Sequence, residues 1–228
     1  MKISGLQKLT LLDYPGKTAC TVFTYGCNLR CPFCHNAFLV TEKEEEYPID
    51  LFFDYLKKRK GILDGVCITG GEPLIHNELP DFIREIRSLG YLVKLDTNGA
   101  FPTRLSKILE ERIVDYVAMD VKNTEAKYGV TVGIDGINTA PFLESIRLLN
   151  ASGIPHEFRT TATKEFHTPE DFEEIARLVK GTDAYFIQKF KDSGNLIGEG
   201  LHPLDDEEMR RCKAFAEKVI PNVSLRGV

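Results

Sequence analysis

The stretch ACTVFTYGCNLRCPFCHN, residues 19–36, runs an apolar, β-branched segment straight into a loop with three cysteines in eight positions. Residues 19–25 have strand composition, and a glycine, Gly26, separates them from the cysteines. Outward from this point the same alternation repeats along the chain. Strands are expected at 19–25, 65–69, 91–97, 115–121, 156–163 and 184–190, and helices at 50–60, 78–89, 103–112, 138–152, 169–180 and 205–219. Helix starts carry suitable caps: Thr168 precedes Pro169 with Asp171 in the first turn, and Asp205 leads into DEEMRR. Six β–α units predict an α/β fold with a parallel sheet and helices packed outside it. Sites in such folds lie at the carboxyl ends of strands. Here those ends read as the cysteine loop, TGGEP (69–73), DTNG (96–99) and DVK (120–122), more polar chemistry than a structural sheet requires. Two glycine-bearing segments, 123–136 and 191–200, are expected to be surface loops or rims of a site.

The totals bound the function. With 228 residues and 43% hydrophobic content, the chain supports one sizeable domain, expected to span 1–228. It shows no apolar run of about 18 residues and no signal-like start, so a cytoplasmic address and no membrane partner are expected. A net charge of −5, with KKRK at 57–60 as the densest basic cluster, argues against a nucleic-acid surface.

Of the six cysteines, Cys27, Cys31 and Cys34 form the cluster, while Cys20, Cys67 and Cys212 read as buried strand or helix residues. Tight thiol spacing presents soft ligands to one centre, which suits an iron–sulfur cluster or zinc. A structural zinc site needs four closed ligands, usually two separated pairs, and no second Cys-x-x-Cys exists. Three ligands on a four-iron cubane would leave one iron open to a substrate or cofactor.

The spacing of Cys27, Cys31 and Cys34, with Phe33 before the last, resembles the cluster motif of the radical S-adenosylmethionine (SAM) superfamily, and TGGEP about 35 residues later resembles its second motif. GCNLRCPFCHN, ITGGEPL, LDTNG and MDVK together resemble the glycyl-radical-enzyme activases. The opening GLQKLTLLDYPGKTACTVFTYGCNLRCPFCHN is most similar to activating proteins of anaerobic ribonucleoside-triphosphate reductase. The resemblance implies a partial, open (β/α)6 barrel with a cluster loop at 26–36 and no auxiliary-cluster domain.

It also implies a [4Fe–4S] cluster on Cys27, Cys31 and Cys34, and SAM on the open iron. Phe33, Cys34, His35, Gly70, Gly71, Glu72, Asp96, Thr97, Asp120, Lys122 and Arg159 would line the SAM pocket. Gly70–Gly71–Glu72 would receive the SAM amino group, and Asp96 with Asp120 would hold a monovalent cation near its carboxylate. Lys122 would meet the carboxylate or ribose. The histidine that follows the sixth strand in the pyruvate formate-lyase activases is missing, leaving Gln188 or Lys189 in its place; His202 reads as a surface residue. The expected partners are a glycyl-radical enzyme, foremost anaerobic ribonucleotide reductase and then pyruvate formate-lyase or another, and a flavodoxin or ferredoxin-type electron donor. Two other readings stay open at this level: a different small radical SAM enzyme, and a non-enzymatic iron–sulfur or zinc module.

Overall fold

A computed structural model describes residues 1–41, 46–182, 184–192 and 194–228. Its centre is an eight-stranded sheet whose strands lie side by side in chain order. β1 (Ile3–Thr10) pairs antiparallel with β2 (Ala19–Thr24). From β2 onward every neighbour is parallel: β3 (Gly65–Gly70), β4 (Leu92–Thr97), β5 (Tyr116–Asp120), β6 (His156–Ala162), β7 (Tyr185–Lys189) and β8 (Val223–Arg226). β1 and β8 are edges, so the sheet is open and not a closed barrel. All six expected strands form, and β1 and β8 extend the six-unit expectation at both ends.

The helices of the β–α units are α2 (Ile49–Lys58), α3 (Leu79–Ser88), α4 (Pro102–Glu110), α6 (Ala140–Ser152), α7 (Asp171–Leu178) and α8 (Asp206–Glu217), with short α1 (Ala37–Thr41) and α5 (Tyr128–Val132) in the loops. α8 starts in a capping box: Asp205 accepts from the Glu208 N–H (2.8 Å), and Glu208 accepts from the Asp205 N–H (2.9 Å). α7 starts two residues later than expected. The Asp171 carboxylate accepts from the Thr168 N–H (2.7 Å) and so closes the turn before the helix. None of the helices among the described residues is long and apolar enough to cross a membrane.

Strand alternation gives the sheet two unlike faces. Val93, Leu95, Val117, Met119, Phe158, Tyr185 and Ile187 join the hydrophobic core. The intervening positions supply Asp96, Asp120, Arg159, Thr161 and Gln188 to a cavity. Register sets Asp120 directly beside Arg159, and Thr161 beside Gln188. A parallel sheet normally buries apolar side chains on both faces; here one face is polar because it walls a cavity.

The two glycine-bearing segments brace the cysteine loop. The Arg30 N–H donates to the Val132 carbonyl (3.0 Å) at the end of α5, and the Gly198 N–H donates to the Pro32 carbonyl (2.8 Å). Gly133 sits so close that a Cβ there would lie 2.4 Å from the Arg30 carbonyl oxygen, at a φ of +70°.

Candidate active site

The cysteine loop and the carboxyl ends of β3 to β7 enclose a cavity of about 440 Å³. Cys27, Cys31 and Cys34 all line it, together with Phe33 and His35. The Cys34 N–H donates to the Cys31 carbonyl (3.0 Å), folding the Cys-x-x-Cys segment into a turn. None of the six cysteines is in a disulfide, and Cys20, Cys67 and Cys212 are buried away from the loop, as their strand and helix positions predict. Burial pushes the Cys27 thiol up, and the Cys31 thiol up to about 12. Such thiols become ligands when a metal takes the place of the proton. Among the described residues no three His, Cys, Asp or Glu side chains converge tightly enough for a single metal ion.

The TGGEP turn docks beneath the first cysteine. The Gly71 N–H donates to the Thr24 carbonyl (3.0 Å), and the Glu72 N–H to the Gly26 carbonyl (2.8 Å). A Cβ on Gly71 would sit 1.9 Å from the Gly26 oxygen, and Gly70 has a φ of +123°, so neither position accommodates a side chain without a shift of backbone. Asn36 Nδ2 donates to the Gly70 carbonyl (3.3 Å) from the far side of the loop.

Glu72 is placed differently from the sequence expectation. It is fully buried and does not line the cavity. Its carboxylate accepts from the Leu74 N–H (3.0 Å), Thr97 Oγ1 (2.8 Å) and the Asn98 N–H (2.6 Å). Burial raises its carboxyl to about 7 in spite of these three donors. Glu72 therefore ties the β3 loop to the β4 loop, and the cavity face of this turn is made by Thr69, Gly70 and Gly71.

Asp96, Asp120, Lys122 and Arg159 form one ion-pair network on the cavity wall. Arg159 Nε meets Asp120 Oδ1 (2.8 Å), and Arg159 Nη1 meets Asp96 Oδ2 (3.3 Å). Lys122 Nζ takes Asp120 Oδ2 (3.0 Å), and Lys94 Nζ takes Asp96 Oδ1. Burial opposes ionisation of both carboxyls, but Arg159 outweighs it, with Lys94 at Asp96 and Lys122 at Asp120, and holds them below their ordinary values. Lys122 also lies 6.0 Å from the Phe33 ring centre, which joins the network to the cysteine loop.

Gln188 and Lys189 both line the cavity; Lys189 is tied to Asp206 at the start of α8. His202 is exposed and paired with Glu165 (2.8 Å), outside the cavity. Three further contributors are not among the expected site residues. Lys94 is 1% exposed beneath Asp96, and its signal was a lysine two positions before Asp96 in an apolar strand. Asn98 Nδ2 donates to Asn28 Oδ1 (2.9 Å) and lies 3.8 Å from Cys27 Sγ. Buried His167 holds the Lys122 carbonyl through Nε2 (2.8 Å).

Residues 21–179 match the radical SAM superfamily. This chain belongs to the radical SAM superfamily. A relative from Methanocaldococcus jannaschii, assigned by inference as a glycyl-radical enzyme activating enzyme, is 33% identical over 235 residues, covering 99% of this chain and 96% of its own length. Among solved structures, Streptococcus suis SuiB bound to S-adenosylmethionine superposes with a TM-score of 0.70 at 16% identity, over 90% of this chain and 49% of that one. A domain of pyruvate-formate lyase-activating enzyme from Bacteroides vulgatus gives 0.59 at 16% identity, over 72% of this chain and 99% of that one. These two likenesses are of fold. The radical SAM chain is an enzyme, and its cofactors are a [4Fe–4S] cluster and SAM. The cavity fits them, lined by three soft thiols and by a charged network with one cation in excess.

Proposed function

We propose that this radical SAM enzyme installs a glycyl radical on a partner protein, with anaerobic ribonucleoside-triphosphate reductase as the first candidate. The observation that carries the reading is the whole-length relationship to the Methanocaldococcus jannaschii relative, at 33% identity over 99% of the chain. The opening segment that resembles reductase activators supports the choice of partner. A flavodoxin or ferredoxin-type protein would supply the electron, and one domain would carry the reaction without an auxiliary cluster.

Cys27, Cys31 and Cys34 would hold the cluster, leaving one iron for the amino and carboxylate groups of SAM. Bound there, the reduced cluster and SAM would supply one-electron, radical-forming chemistry. The protein's own residues bind and orient. Carbonyl groups of the Gly70–Gly71 segment would accept the SAM ammonium; Glu72 keeps that segment in place from behind. Arg159 and Lys122 supply positive charge for the carboxylate. Phe33 and His35 wall the site, and Thr97, tied to Glu72, shapes its floor. Gln188 or Lys189, both on the cavity wall, would take the part of the missing histidine. The target would be a hydrogen atom on a partner's glycine Cα, and no residue of this chain would need to act as a general base.

Anaerobically reconstituted, reduced protein should give a glycyl radical doublet in electron paramagnetic resonance when mixed with SAM and the reductase. A doublet with pyruvate formate-lyase alone would move the partner. SAM cleavage with no doublet on any glycyl-radical enzyme would favour a different small radical SAM enzyme.

A further inference from the structure

The family resemblance places a monovalent cation between the carboxylates of Asp96 and Asp120. In this chain cationic side chains already surround those carboxylates. All four carboxylate oxygens already meet a cationic nitrogen of the protein: Asp96 Oδ1 meets Lys94, Asp96 Oδ2 meets Arg159 Nη1 (3.3 Å), Asp120 Oδ1 meets Arg159 Nε (2.8 Å), and Asp120 Oδ2 meets Lys122 (3.0 Å). We infer that this chain carries its own counter-cation: Arg159, flanked by Lys94 and Lys122, stands in the place of a monovalent metal ion, and SAM binds without one. The inference rests on SAM being the ligand of this cavity.

The charge count agrees. Two carboxylates face three cations, leaving one net positive charge within this network. An added metal ion would share each oxygen with an N–H donor and sit among three fixed positive charges, so repulsion opposes it. One positive charge is what a carboxylate ligand needs. Arg159 is also fixed in place. Glu157 lies behind it, its Oε1 4.0 Å from Nη1, and Glu157 itself is clamped by Arg226 through two hydrogen bonds of 3.0 and 2.9 Å. Lys94 is 1% exposed, so its ammonium cannot swing into solvent and vacate Asp96. Bridging two carboxylates through Nε and Nη1 uses the planar fork of a guanidinium, a geometry no lysine reproduces. Nη2 makes no hydrogen bond among the described residues, and Arg159 lines the cavity, so a donor remains for the ligand.

The test is SAM affinity of the cluster-reconstituted protein, measured by anaerobic titration calorimetry. Buffers would contain tetramethylammonium as the sole cation, or sodium, or potassium, at equal ionic strength. The wild-type dissociation constant is expected to agree within about twofold across the three; tightening by about tenfold or more with sodium or potassium would overturn the inference. Arg159→Met opens the place between the carboxylates, so its SAM affinity should become cation-responsive, with potassium or sodium recovering much of the loss. A variant that stays folded by circular dichroism and gains nothing from either ion would show that Arg159 is not the substitute. Should that variant fail to fold, Lys94→Met, which frees one Asp96 oxygen, carries the same comparison. Absence of SAM binding by wild type in every buffer would instead refute SAM as the ligand, a separate outcome.

Discussion

Glu72 shows how a motif residue can serve a site it does not touch. Its carboxyl is sealed from solvent and raised by burial to about 7. The folded protein therefore holds a proton on Glu72 between about 4.5 and about 7 that the unfolded chain has released. Stability from this group is complete below that window and falls as pH rises through it, by up to about 3 kcal/mol. Glu72→Gln removes that slope. It also sets an NH2 against a backbone N–H that formerly met an oxygen, costing about 2 kcal/mol at acidic pH. Urea unfolding at pH 5 and at pH 8 should show the difference between wild type and variant shrinking as pH rises; a constant difference would contradict the assignment. The sequence made Glu72 visible through TGGEP but not the direction of its side chain, since a motif records identity and not rotamer. Lys94 and Asn98 were harder to see: Lys94 is a lone lysine in an apolar strand, paired with Asp96 two positions along the same strand, and Asn98 reaches over to Asn28 in the cysteine loop.

At the level of elements, the strands that alternate or stay apolar were legible, and the edges were not. β1 has no clean alternation, with Gln7, Lys8 and Leu9 all exposed, and β8 has only four residues. α5 lies in a segment whose glycines read as loop; its helix forms where Gly133 closes it in the left-handed region. β8 is fastened by chemistry that no local pattern reveals. Arg226, on β8, grips Glu157, on β6, across the intervening strand, and Glu157 is 1% exposed. Arg226→Met would strand a buried carboxylate, and the expected cost is about 3 kcal/mol in urea unfolding. The double variant Arg226→Met with Glu157→Leu should recover most of it. A single variant as stable as wild type would mean that the pair does not hold this edge.

Taken whole, the molecule is an open, mostly parallel sheet whose carboxyl edge gathers a cysteine loop, a glycine turn and a charged network around one cavity. That arrangement was legible because strand-end position and residue chemistry coincided at each of the first four expected strands. The bracing of the cysteine loop by α5 and Gly198 was not, since it depends on contacts between distant loops. The open edge gives the site its partner-facing side under the proposed function. If Cys27, Cys31 and Cys34 hold a cluster whose open iron takes SAM, the reduced protein must cleave SAM. The measurement is to reduce the anaerobically reconstituted protein with dithionite, add SAM, and assay 5′-deoxyadenosine and methionine by chromatography. Wild type should form both in equal amounts, and Cys31→Ala should lose the cluster's visible absorption and fall by about 100-fold or more in product, a loss of nearly 3 kcal/mol in transition-state terms. Equal product from Cys31→Ala, or none from a wild type carrying four irons, would contradict the account.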